Sequence, residues 1–190
     1  RDPAPEHYEP GFKELRLASR VDRMTVEQAN VLIFATKRMR ALYLDRYPSC
    51  DPSKAVVIEN GYDEDRLLDI SRAGRSPGAN FDILHSGQIY PRGRDITALL
   101  EAWAHGPSHT PDGRLIRLLL RGTRRGEDHE KPLDERIAHL RLQDRVLLLP
   151  PCDYVQALEE MRNADALMIV QGRLFDFQIP GKAYDYAATD

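Results

Sequence analysis

Apolar residues recur along this chain with two different spacings. Over 12–29 they fall three and four apart, the period of a helix, whereas Val31-Leu32-Ile33-Phe34 and Lys54-Ala55-Val56-Val57-Ile58 are short runs of strand length. Thr36 stands where its hydroxyl can cap a helix running to about Tyr47, with Met39, Leu42 and Tyr43 on one side and Pro48 as the stop. Asn60-Gly61 signals a turn, and a short acidic helix near 63–70 follows. The next stretch, Ser71-Arg72-Ala73-Gly74-Arg75-Ser76-Pro77-Gly78-Ala79-Asn80, has the composition of a linker.

Beyond it the pattern becomes regular. Runs at 81–85, 115–120, 145–149 and 166–170 predict strands, and helices predicted at about 95–105, 133–140 and 154–163 separate them, with a last helix after the last strand. This alternation predicts an α/β fold, a parallel sheet with helices packed on it. Leu118-Leu119-Leu120 and Val146-Leu147-Leu148-Leu149 carry no polar alternation, as expected for strands covered on both faces. The expected division is therefore an end of one domain with an interdomain segment over 1–62, a linker over 63–80, and a Rossmann-like domain over 81–190.

Composition narrows the classes. At 42% hydrophobic and 30% charged residues the chain can bury one good core, and no apolar run approaches the ~18 residues of a membrane span. The start, Arg1-Asp2-Pro3-Ala4-Pro5-Glu6, is polar, shows no signal peptide and lacks an initiator methionine, which reads as a fragment. Two cysteines, Cys50 and Cys152, give no disulfide framework and fit a cytoplasmic protein. A net charge of -3 argues against nucleic acid as a partner. The one His-x-x-x-His spacing, His105 to His109, flanks Gly106-Pro107, which breaks a shared helix face, and no Cys-x-x-Cys pair is present. A protein metal site is therefore not expected. Neither a Walker loop nor a full Gly-x-Gly-x-x-Gly appears, so no nicotinamide or flavin cofactor is expected.

In an open parallel sheet, ligands bind beyond the C-terminal strand ends, so four loops matter. In Ser86-Gly87-Gln88-Ile89-Tyr90-Pro91-Arg92-Gly93-Arg94-Asp95, Gly87 permits close approach to the backbone, and Arg92 and Arg94 either clamp phosphate oxygens or are solvated surface residues. In Arg121-Gly122-Thr123-Arg124-Arg125-Gly126, the glycines, Gly122 among them, and the arginines can approach a phosphate or base, with a flexible basic edge the favoured reading for Arg124 and Arg125. Pro150-Pro151-Cys152-Asp153-Tyr154 is a rigid wall for a flat base, with Asp153 as a helix cap and Cys152 as a small buried residue rather than a nucleophile. In Ile179-Pro180-Gly181-Lys182-Ala183-Tyr184-Asp185-Tyr186, a helix start with a lysine in its first turn suits a phosphate, and Asp185 can accept from sugar hydroxyls. Taken alone, Pro180-Gly181-Lys182 is also an ordinary helix start.

In this order these residues resemble a family 4 glycosyltransferase, of the fold with two Rossmann-like domains. The resemblance covers roughly 20–190 and is carried by Ala29-Asn30-Val31-Leu32-Ile33-Phe34-Ala35-Thr36, by Val56-Val57-Ile58-Glu59-Asn60-Gly61-Tyr62-Asp63, by Ser86-Gly87-Gln88-Ile89-Tyr90 with Arg94-Asp95, and by Pro180-Gly181-Lys182-Ala183-Tyr184-Asp185-Tyr186. It implies the C-terminal, donor-binding half of a retaining transferase of polysaccharide or glycolipid synthesis, incomplete at its end. The implied substrate is a nucleoside diphosphate sugar, used without metal or cofactor. The acceptor, a glycan or lipid-linked sugar, would be held by a missing N-terminal domain, and the parent would be cytoplasmic, with peripheral association at the inner membrane face as an option. By resemblance Arg92 or Arg94 with Lys182 and the Gly181 helix start would hold the diphosphate, Asp185 the ribose, and the loop ending at Tyr154 the base. Catalytic residues are not assigned. The chain departs from the family in carrying Asp185 for a glutamate, and Phe177, with only Asp176 beside it, at the first of two glutamates seven apart. A non-catalytic nucleotide-binding or scaffold module is the alternative.

Overall fold

A computed structural model describes residues 13–68, 78–89, 95–123 and 131–189. The chain divides into two compact units: the described residues up to Asn60 with Leu174–Ile179, and those of Gly61–Arg173 with Pro180–Asp190.

In the smaller unit, helix α1 (Lys13–Gln28) precedes strand β1 (Leu32–Phe34), helix α2 (Lys37–Arg46), a 3-10 turn (Pro52–Lys54) and strand β2 (Ala55–Val57). β1 and β2 pair in parallel, with Leu32 opposite Ala55 and Phe34 opposite Val57. α2 begins where the sequence predicts, because Thr36 accepts the Met39 N–H at 3.0 Å. Its hydroxyl also donates to the Phe177 carbonyl at 2.5 Å, tying Leu174–Ile179 to the helix start. Val26, Leu32, Phe34, Cys50 and Ala55 form the core, with Met39 and Tyr43 against it. Leu42, expected beside them, is exposed; the 100° step from Leu42 to Tyr43 turns one away as the other faces in.

The larger unit holds helix α3 (Glu64–Leu68), strand β3 (Asn80–Ser86), helix α4 (Thr97–His105), strand β4 (Leu115–Arg121), helix α5 (Lys131–His139), strand β5 (Val146–Leu149), helix α6 (Tyr154–Asn163), strand β6 (Ala166–Leu167), a 3-10 turn (Arg173–Phe175, shared with the smaller unit) and helix α7 (Gly181–Ala188). All four strands are parallel, in the order β5-β4-β3-β6. Two cores cover them. Leu118, Leu120 and Val146 pack with Ile96, Leu100 and Ile137 on one face, and Leu84 packs with Leu158, Met161 and Tyr186 on the other. Leu119 joins the second core between two members of the first, which is why the leucine run shows no polar alternation.

Charge pairs anchor the loops. Arg121 meets Glu160 with two nitrogens, at 2.8 and 2.5 Å, and also donates to the Pro150 carbonyl at 2.6 Å. It therefore fastens β4 to α6 rather than facing a ligand. At the other strand ends Arg117 grips Asp82 through two bonds and Arg114 meets Asp165 at 2.9 Å. None of the described helices is long and apolar enough to cross a membrane.

Candidate functional site

The strand order places a topological switch point between β3 and β6. From β3 the chain steps outward through β4 to β5, then returns to add β6 on the opposite side of β3. Crossovers leaving a sheet in opposite directions open a crevice at the C-terminal strand ends, and ligands collect there.

Here the two strands part early. Met168 N–H still donates to the Leu84 carbonyl at 2.8 Å, which continues the ladder. The next rung, from Ser86 N–H to the Met168 carbonyl, is replaced. Ser86 N–H donates to the Tyr186 hydroxyl at 2.9 Å, and that hydroxyl makes a long contact of 3.5 Å to the Met168 carbonyl. The same carbonyl lies 2.9 Å from His85 Nδ1. The strand predicted over 166–170 therefore ends at Leu167, because side chains take the groups that would extend it. Burial raises the Tyr186 phenol above its ordinary pKa, which keeps the wedge neutral.

Anchored by Tyr186, helix α7 carries Lys182 one turn earlier on the same side. The Lys182 amine lies 3.1 Å from His85 Nε2. It also sits against Gly87, where a β-carbon would approach it to 3.1 Å. Gly87 has φ +114, a backbone conformation that favours glycine, and its N–H donates to the Arg121 carbonyl at 2.8 Å. The amine of one predicted loop thus stands on the glycine of another. Helix α7 has no side-chain cap at Pro180, in contrast to α2 and to α6, where Asp153 accepts the Gln156 N–H at 2.9 Å as predicted. Among the described residues, a β-carbon on Gly181 would meet nothing within 4 Å.

One turn further along α7, Asp185 accepts from the Tyr154 hydroxyl at 2.7 Å. The Tyr154 phenol is pushed up to about 12, first by burial and then by this bond to a carboxylate. Gly122 lies at the end of β4 with φ +64, and its position beside Pro151 puts the second and third loops in contact. Cys152, expected buried, is half-buried, because the loop ends at a helix start rather than in a core; burial and Glu160 raise its thiol pKa. Arg92 and Arg94 lie outside the described residues, as do Arg124 and Arg125. Of the predicted site residues, the structure brings together Gly87 with Lys182, and Tyr154 with Asp185. His85 was not singled out by sequence; a polar residue directly after the apolar pair Ile83-Leu84, at the C-terminal end of a strand, is the signal that could have marked it.

The smaller unit has a concavity of about 360 Å³ lined by Asp22, Thr25, Phe34, Tyr43, Asn60 and Gln178 among others. Among the described residues, none that lines it is basic. In the same unit Phe177 is buried, and the exposed Asp176 pairs with Arg38 at 2.9 Å.

No family model matches the chain, and no curated protein does. Solved structures do. HepE of Anabaena in complex with UDP-glucose is 20% identical at a TM-score of 0.61, over 88% of this chain and 44% of its own. Sucrose-phosphate synthase of Thermosynechococcus elongatus is 17% identical at 0.65, over 88% and 42%. A glycosyltransferase of Rickettsia africae is 17% identical at 0.58, over 87% and 45%. The chain spans less than half the length of each. With part of each of these structures it shares an α/β fold of parallel strands and packed helices.

Proposed function

We propose that the chain is the donor-binding part of a glycosyltransferase and takes a nucleoside diphosphate sugar at the C-terminal ends of β3 and β6. The observation that carries this reading is the Lys182 amine standing on Gly87 beside the uncapped start of α7. A primary ammonium and the positive end of a helix dipole at a switch point suit a diphosphate. Asp185, one turn on, suits a ribose, and the wall ending at Tyr154 suits a base. That HepE was solved with UDP-glucose supports a uridine nucleotide as the first ligand to try.

In the reaction the bond from the sugar's anomeric carbon to the diphosphate breaks, and negative charge accumulates on the departing phosphates. Lys182 and the α7 N-terminus supply a fixed positive field there, stabilising the transition state more than the ground state. By the resemblance, Arg92 or Arg94 would act with Lys182 on the diphosphate. Transfer with retention, an acceptor glycan or lipid-linked sugar held by an N-terminal domain of which residues 1–62 are the end, and a cytoplasmic parent all belong to the same proposal.

Calorimetric titration with UDP, GDP and their sugars tests it. Binding is expected, weakened about tenfold to a hundredfold by Lys182→Ala, as for loss of a charge-assisted hydrogen bond. Absence of binding to every nucleoside diphosphate overturns the reading. One observation favours the alternative of a non-catalytic nucleotide-binding module: Phe177 is buried and Asp176 is paired with Arg38 where the resembled family has a glutamate. Nucleotide binding without sugar transfer or hydrolysis by the longer parent protein would select that alternative.

A further inference from the structure

We infer that His85 is a positioning residue for the phosphate-binding amine, holding Lys182 through a neutral ring nitrogen. His85 is fully buried. Its Nδ1 lies 2.9 Å from the Met168 carbonyl, which can only accept, so Nδ1 carries the hydrogen. Its Nε2 lies 3.1 Å from the Lys182 amine, and an ammonium can only donate, so Nε2 presents its lone pair. With the amine protonated, as phosphate binding requires, the two contacts are compatible only with the neutral Nδ1–H tautomer. The Met168 carbonyl is available for this purpose because the strand ladder has been opened at Ser86 by the Tyr186 hydroxyl.

The choice of partner has a chemical consequence. A carboxylate at this position would orient the lysine but cancel its charge and repel an incoming phosphate. A neutral imidazole orients it without adding a negative charge beside it. The ring also draws on both sides of the switch point, since β3 supplies it and the end of β6 fixes its tautomer. The role inferred for His85 rests on the proposed reading of Lys182; the geometry of the pair does not.

The test uses the 190-residue chain and has two independent arms. Long-range proton–nitrogen correlation spectra identify the His85 ring by its loss in His85→Gln. The expected ring is neutral with hydrogen on Nδ1, and its Nε2 resonance moves in Lys182→Met. A doubly protonated ring, a hydrogen on Nε2, or an Nε2 signal indifferent to Lys182→Met overturns the inference, whether or not any nucleotide binds. The second arm compares UDP and uridine. Glutamine places a carbonyl where Nε2 was and keeps the acceptor for Lys182, whereas asparagine keeps only the donor to Met168. His85→Gln is expected within about threefold of the parent's UDP affinity, and His85→Asn about tenfold weaker, with uridine affinity unchanged by both. Asparagine binding UDP like the parent while glutamine fails would assign the ring to the Met168 contact alone and overturn the inference. Failure of the unmutated chain to bind UDP or any other nucleoside diphosphate removes the proposed function, and the spectra still decide the pair.

Discussion

The Tyr186 hydroxyl accepts the Ser86 N–H at 2.9 Å and thereby occupies the place of a strand rung. A helix side chain thus stands in for the carbonyl of β6, and the strands part where a parallel sheet would otherwise close. Tyr186→Phe removes the acceptor but keeps the ring. The buried N–H must then go unpaired, at about 1–3 kcal/mol, or re-pair with Met168 and draw the crevice shut. Chemical denaturation is expected to show the loss, with weaker UDP binding beside it. Unchanged stability would mean that the rung re-forms without cost.

The Tyr154–Asp185 bond links the start of α6 to the middle of α7. Tyr154→Phe is expected to cost under about 1 kcal/mol, because the phenol is 41% exposed and water competes for the bond. The pH dependence has a definite sign. The folded phenol titrates at about 12, above the ordinary value of 10.0, so its contribution to stability is complete below 10.0 and is lost as pH rises through 12. The difference in stability between the parent and Tyr154→Phe should therefore be flat at neutral pH and shrink across that window. Ultraviolet titration of tyrosinate should show one fewer late group after the substitution.

Two glycines of the site make opposite predictions. Gly87→Ala meets both a φ of +114 and the Lys182 amine, so it should cost about 1–2 kcal/mol and weaken UDP binding. Gly181→Ala meets nothing within 4 Å among the described residues and improves helix propensity, so its melting temperature should hold or rise. A fall in UDP affinity for Gly181→Ala at undiminished stability would mean that the bare backbone serves the ligand. Thermal melts paired with titrations separate these outcomes.

In the smaller unit, Thr36 serves two partners with one hydroxyl, the Met39 N–H and the Phe177 carbonyl. Thr36→Val keeps the shape and removes both bonds. The loss is expected near 2 kcal/mol, combining a helix cap with a buried side-chain bond. Urea unfolding measures it, and Thr36→Ser should recover most of it.

The elements that depend on near neighbours were legible before the fold was seen. Thr36 and Asp153 announce helix starts through a donor three residues away. The leucine and valine runs of β4 and β5 announce strands covered on both faces. Lys182, Gly87, Tyr154 and Asp185 could be nominated because each lies in a loop or helix start that follows a strand. Leu42 misled, since helical period alone does not say which arc of the helix meets the core.

Periodicity, caps and turn residues are local properties, and from them the chain's own order of residues settled the α/β class, the parallel strands and the side of the sheet where a ligand belongs. Which residues meet there was left to the packed chain. His85 becomes a partner for Lys182 only because Met168, 83 residues away in sequence, brings a carbonyl to its other nitrogen, and because Tyr186 holds the strands apart. Hydrogen-bond partners so distant are chosen by how helices and strands dock, and no spacing along one segment encodes that choice.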